Sequence, residues 1–81
     1  PHGHMLVARN DDVPGVIGFI GSVLGEHNLN IAGMYNGRET FGGEALSVYN
    51  LDDPVPKDVL DQLHADERII ETKYISLDNG E

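Results

Sequence analysis

The run Asn10-Asp11-Asp12-Val13-Pro14-Gly15-Val16-Ile17-Gly18, answered by Asn30-Ile31-Ala32-Gly33-Met34, holds the residues best suited to chemistry in this chain. The first run reads as a strand end, a turn and a helix start. Pro14 suits the first helical position, where its missing N–H strands no donor. The polar residues before it belong to the usual capping set. A helix N-terminus presents unpaired N–H groups and about half a positive elementary charge, which suits a carboxylate or another anion. Asp12 beside it suits an ammonium group, and Asn30, opening the next strand, can both donate and accept. Together these groups suit a free amino acid, which carries both charges close together. The same residues also suit plain helix capping by Asp12 and a turn at Asn30, and spacing alone leaves both readings open.

The elements that must position these residues follow from the apolar pattern. Residues Met5 to Asn10 form a short β-prone run. From Pro14 to His27 the spacing predicts a helix, with Ile17, Ile20 and Leu24 on one face and Val16, Phe19 and Val23 on a second. A helix on one small sheet needs a single apolar face, so the second suggests contact with another element or subunit. Gly15, Gly18, Gly21 and Gly25 each cost roughly 1 kcal/mol of helix propensity against alanine, a cost expected where close packing needs small residues. Gly25 also marks the approach of the helix end. Extended runs from Asn30 to Thr40 and Gly43 to Leu51 flank Phe41-Gly42-Gly43, which reads as a hairpin turn. Asp52-Asp53-Pro54-Val55-Pro56 ends that strand with a turn and a helix cap. The second helix buries Val59, Leu60 and Leu63, and Ile69 to Leu77 form the last strand. The order β-α-β-β-α-β predicts an α+β, ferredoxin-like domain. It has one four-stranded antiparallel sheet with both helices on one face.

Other chemistry finds little support. Gly15, Gly18 and Gly21 lack the G-x-G opening of a dinucleotide fingerprint and the P-loop pattern. His27 and His64 fall late in helices, where a cation complements the dipole. His2 and His4 have no acidic or cysteine neighbour at ligand spacing, and no Ser or Thr has an evident base and orienter. Acylphosphatases share the element order, but they need an arginine in the first strand–helix loop. Here that loop is Asp11-Asp12-Val13-Pro14-Gly15, which repels phosphate. RNA-recognition modules need exposed aromatic and basic residues on their central strands, and only Tyr35, Tyr49 and Arg38 are on offer.

Charge and length agree. Fourteen acidic residues face five Lys and Arg, a formal net charge of −9 in 81 residues. That balance repels nucleic acid and anionic membrane surfaces, and a lysine-poor, acid-rich surface fits a halophilic source. A chain this short forms one domain with a marginal core, burying roughly 60% of its unfolded surface. With no cysteine, oligomerisation is the remaining common support. No apolar run reaches a membrane span, no signal peptide is read, and a cytoplasmic location is expected. Residues 1–5 read as a tag or cloning remnant, 6–78 as the domain and 79–81 as a polar tail.

The segments Asp12-Val13-Pro14-Gly15-Val16-Ile17-Gly18, Leu24-Gly25-Glu26-His27, Asn30-Ile31-Ala32-Gly33-Met34, Gly37-Arg38, Gly42-Gly43-Glu44-Ala45 and Asp52-Asp53-Pro54-Val55-Pro56 resemble an ACT domain. More narrowly, they resemble the C-terminal regulatory domains of D-3-phosphoglycerate dehydrogenases. The ACT domains of iron–sulfur L-serine dehydratases share several of these runs. The resemblance spans about Leu6 to Leu77. It implies a regulatory fold without catalysis or cofactor of its own, NAD belonging to the parent enzyme. It also implies L-serine or a similar small amino acid bound between two copies paired through an edge strand and helices, for feedback control. By this resemblance Asn10 and Asp12 come from the first loop and Asn30 from the second strand, with backbone groups near Val13, Gly15 and Val16 completing the site. Asn10 departs from the His or Tyr frequent at its position, which bears on the effector's side-chain contact. A structural dimerisation module with a degenerate pocket is the alternative this departure favours.

Overall fold

The computed structural model describes residues 3–38 and 43–76. The elements run β1 (His4–Asp11), α1 (Val16–Glu26), β2 (Ile31–Arg38), β3 (Glu44–Leu51), α2 (Lys57–His64) and β4 (Ile69–Ser76). The sheet order is β2-β3-β1-β4, with every neighbouring pair antiparallel. This is the expected ferredoxin-like arrangement. The first strand starts at His4, so His4 and Met5 pair within the sheet. The Phe41-Gly42 part of the expected hairpin turn, Pro1 and His2, and the tail from 77 onward lie outside the described residues.

Side chains alternate across each strand, and this alternation builds the core. Leu6 and Ala8 on β1, and Ala45, Ser47, Tyr49 and Leu51 on β3, point to one face and are buried. Over them lie Val16, Ile20, Val23 and Leu24 of α1 and Val59 and Leu63 of α2. The two apolar faces expected of α1 merge into one stripe at i, i+4, i+7 and i+8. Phe19 packs at its rim, while Ile17 stays half-exposed. In the pairing of β1 with β4 the register slips between Arg9 and Asn10, where Arg9 faces Glu71 and Asn10 faces Ile69. Ile70 is left over as a bulge residue, and Ile69 is thereby buried while Ile70 is exposed.

Both helix starts differ from expectation. The N-cap of α1 is Gly15 in the left-handed region (φ 93°), not Asp12, and Pro14 precedes the helix. Neither helix has a side-chain cap, so Asp52 and Asp53 do not cap α2; Asp58 in its first turn answers the dipole instead. At the end of α1, Asn28 rather than Gly25 takes the left-handed conformation (φ 60°). The Leu29 N–H donates to the Leu24 carbonyl (3.0 Å) and the Asn28 N–H to the Gly25 carbonyl (3.0 Å), a Schellman closure with both leucines buried. A methyl group on Gly18, Gly21 or Gly25 would meet nothing within 4 Å, so no close packing inside this chain requires those glycines.

Ser47 Oγ and Tyr49 OH are buried on the inner face without a partner in hydrogen-bond geometry. Burial pushes the Tyr49 hydroxyl pKa up, and the nearby Ser47 hydroxyl opposes this only in part. Tyr49→Phe is therefore expected to change stability by under about 1 kcal/mol or to raise it; urea denaturation measures this, and a loss above about 2 kcal/mol would show that the hydroxyl is satisfied.

The turn from α2 to β4 is tied by Asp66, whose carboxylate accepts from the Arg68 backbone N–H (2.9 Å), Nε (2.9 Å) and Nη2 (2.8 Å). The Arg68 side chain, then its N–H, hold the Asp66 carboxyl down at about 2 against an ordinary 3.8. A lowered folded-state pKa means this contribution is complete above the unfolded value and disappears as pH falls from there through about 2. The stability gap between the protein and Asp66→Asn should thus be constant near neutrality and close in acid, read from denaturation midpoints between pH 2 and 7. A gap that persists unchanged at pH 2 rules out the charge as its source.

Candidate functional site

The loop between β1 and α1 is held from both sides. The Asp11 N–H donates to the Arg68 carbonyl at the β4 side (2.9 Å), and the Asp12 N–H to the Gly43 carbonyl at the β3 side (2.7 Å). The Val13 N–H closes a tight turn on the Asp11 carbonyl (2.9 Å). The first α1 bond of this region runs from the Phe19 N–H to the Gly15 carbonyl (2.9 Å). The helix start carries no side-chain cap, and the first N–H groups of a helix have no intrahelical partner. A cavity of about 390 Å³ lies there, lined by Asp12, Val13, Pro14, Gly15, Ile17 and Asn36. Its chemistry is one carboxylate, one side-chain amide, a helix N-terminus and a short apolar wall.

The site residues expected from sequence are placed unevenly. Asp12, Val13 and Gly15 line this cavity. Val16 starts the helix behind it and is itself buried. Asn10 is only 2% exposed and faces the interior below α1. Its Nδ2 donates to the Asp11 carbonyl (2.7 Å), and its Oδ1 has no partner. Asn30 lies at the other end of the sheet: β2 begins opposite Leu51, which pairs with His4, whereas Asp11 pairs with Glu44. There Asn30 Nδ2 donates to Asp52 Oδ2 (2.5 Å) and its carbonyl accepts from the Asp52 N–H (3.1 Å). A single copy therefore does not bring Asn30 to Asp12.

Two lining or supporting residues escaped the sequence reading. Asn36 reaches the cavity from β2, a contact across elements that no local spacing reveals. Arg68 reaches the loop from the far side of the chain. On the uncovered sheet face Arg9 bridges Glu44 (2.9 Å) and Glu71 (3.0 Å) beside a hollow of about 190 Å³ that also meets Val7, Leu46 and Lys73. Among the described residues no group of three His, Cys, Asp or Glu is disposed to hold a metal ion, and no helix is long and apolar enough to cross a membrane.

Comparisons with known proteins bear on this geometry. A D-3-phosphoglycerate dehydrogenase of Archaeoglobus fulgidus is 39% identical over 79 residues, covering 95% of this chain and 15% of that protein. One of Synechocystis sp. is 44% identical over 63 residues, 78% of this chain and 11% of the relative. The chain thus spans a small fraction of the length of these relatives. In structure it resembles a formyltetrahydrofolate deformylase of Pseudomonas putida (TM-score 0.77, 10% identity, 90% of this chain and 28% of that one). It also resembles the regulatory subunit of aspartate kinase from Thermus thermophilus (TM-score 0.67, 13% identity, 89% and 50%). At such identities these likenesses speak for the fold alone. The family model for the ACT domain matches residues 4–68. With the sheet order above and these dehydrogenase relatives, the match establishes that the chain belongs to the ACT domain family, as a regulatory domain homologous to those of D-3-phosphoglycerate dehydrogenases.

Proposed function

We propose that this domain is the effector-binding part of a D-3-phosphoglycerate dehydrogenase, taking up L-serine between two copies for feedback control. The observation that carries the reading is the cavity at the uncapped start of α1, walled by Asp12 and opening beside Asn36 on the edge strand β2. The helix N-terminus takes the effector carboxylate. Asp12 takes its ammonium group. The cavity is large for a molecule as small as serine, which suits a site completed by a second copy.

The edge explains how Asn30 can join. Strand β2 is an outer strand of the sheet. Met34 on its helix-bearing face is 53% exposed and Tyr35 on the other face is 69% exposed. Antiparallel pairing of two β2 strands about a twofold axis lays the start of each beside the end of the other. It brings Asn30 of the partner subunit to the end of the sheet that holds the Asp12 loop. The same pairing covers an edge that otherwise invites uncontrolled association. Serine binding there favours one arrangement of the two copies, and a coupling on the order of 1 to 3 kcal/mol suffices for regulation. NAD and 3-phosphoglycerate belong to the rest of the parent enzyme, a cytoplasmic protein in this reading.

A second reading, a dimerisation module with a degenerate pocket, draws on Asn10. Its amide is spent on the Asp11 carbonyl and its side chain is buried, so it offers the cavity no contact.

Calorimetric titration with L-serine separates the two. Saturable heat absent with D-serine is expected, and Asp12→Ala should weaken binding by about 1.5 to 3 kcal/mol, the value of a charge-assisted hydrogen bond. No heat at millimolar serine, or unchanged affinity in Asp12→Ala, removes the effector assignment. The edge pairing has its own measurement: Met34→Asp, at an exposed position, should leave circular dichroism unchanged yet convert a dimer to a monomer in light scattering. A variant that remains dimeric places the interface elsewhere.

A further inference from the structure

We propose that Arg68 is a positioning residue for the β1–α1 loop, a strap thrown from the α2–β4 turn across the start of α1. Its main chain holds the loop entrance, since the Arg68 carbonyl accepts the Asp11 N–H (2.9 Å). Its side chain reaches the loop exit. A methyl group on Gly15 would stand 3.7 Å from Arg68 Nη1. The guanidinium carbon lies 5.4 Å from the centroid of the Phe19 ring, a cation–π contact in the first turn of α1. One residue thus brackets Asp12, Val13 and Pro14, which wall the cavity.

The strap is itself held. Nε and Nη2 are both committed to the Asp66 carboxylate, which also takes the Arg68 backbone N–H. That fork leaves only the Nη1 edge to face Gly15. A lysine has neither the planar fork for Asp66 nor the flat face for Phe19, so it cannot replace arginine here. As an isolated surface ion pair the Asp66–Arg68 contact would be worth little; what gives it consequence is what it orients. The effect on ligand uptake rests on the reading of this loop as an effector site, whereas the effect on the loop itself does not.

The test is amide hydrogen exchange by NMR on the 81-residue chain, comparing it with Arg68→Ala and Arg68→Lys, each titrated with L-serine. In both variants the Asp12, Val13 and Phe19 amides should exchange roughly tenfold faster or more, while the Leu6 and Tyr49 amides of the central strands keep their rates. Lysine should not rescue. Loop amides that exchange as in the parent chain, or that speed up in step with the central strands, overturn the proposal; full rescue by lysine does so too, because charge alone would then suffice. Where the parent chain binds serine, both variants should bind it roughly fivefold more weakly or worse, and equal affinity despite a loosened loop overturns the positioning of ligand. A parent chain that binds no serine tells against the effector reading, and the exchange rates still decide the role of Arg68.

Discussion

The core of this domain is centred on β1 and β3, and the edge strand β2 is left the most open, with Met34 and Tyr35 exposed. Helix α1 lies over β1 and β3, whose inward side chains are fully buried, and α2 sits beside it toward β4. On β2, Met34 is exposed on the same face that carries the core on β1 and β3. The cavity at the start of α1 opens beside this edge, since Asn36 of β2 lines it. In the proposed dimer a second copy covers this edge with its own β2 strand.

The loop needs tethering because its chemistry forbids the ordinary means. A Ser, Thr, Asp or Asn at the N-cap would satisfy the free N–H groups of α1 from within. Gly15 in the left-handed region satisfies none of them. An L side chain there would be strained whatever room it had. The helix start is thus kept available, and its position is set instead by backbone bonds to Gly43 and Arg68 and by the Arg68 side chain. This arrangement gives up the stabilisation of a side-chain cap.

Strand alternation made β1 and β3 legible residue by residue, and element order with resemblance made the fold legible as a whole. What stayed hidden was set by contacts distant in sequence. Pro14 matches the common N1 preference, yet the left-handed Gly15 moved the helix start past it. Gly25 reads as the approach of the helix end, and the left-handed closure itself falls three residues on at Asn28, with Leu29 buried beside Leu24. Asn10 reads as a polar residue at a loop, and only the alternation carried on from Leu6 and Ala8 turns it inward. Asp12 was found from its neighbours in the chain. Asn36 and Arg68 were not, because what matters about each is an element met through the fold.

Cations are scarce in this chain, and those described are mostly paired. Arg9 is divided between Glu44 and Glu71, Lys57 is paired with Asp61, and Arg68 is taken up by Asp66. In a chain of net charge −9, the guanidinium that reaches the start of α1, Arg68, has its fork on Asp66. In the proposed site the effector carboxylate is met by the backbone N–H groups at the start of α1, which carry partial positive charge without a formal one. An amino acid satisfies this asymmetry better than a simple anion, because its ammonium group answers Asp12 while its carboxylate meets the helix. Under the proposed function this site selects a zwitterion by geometry, which the proposed Arg68 strap governs.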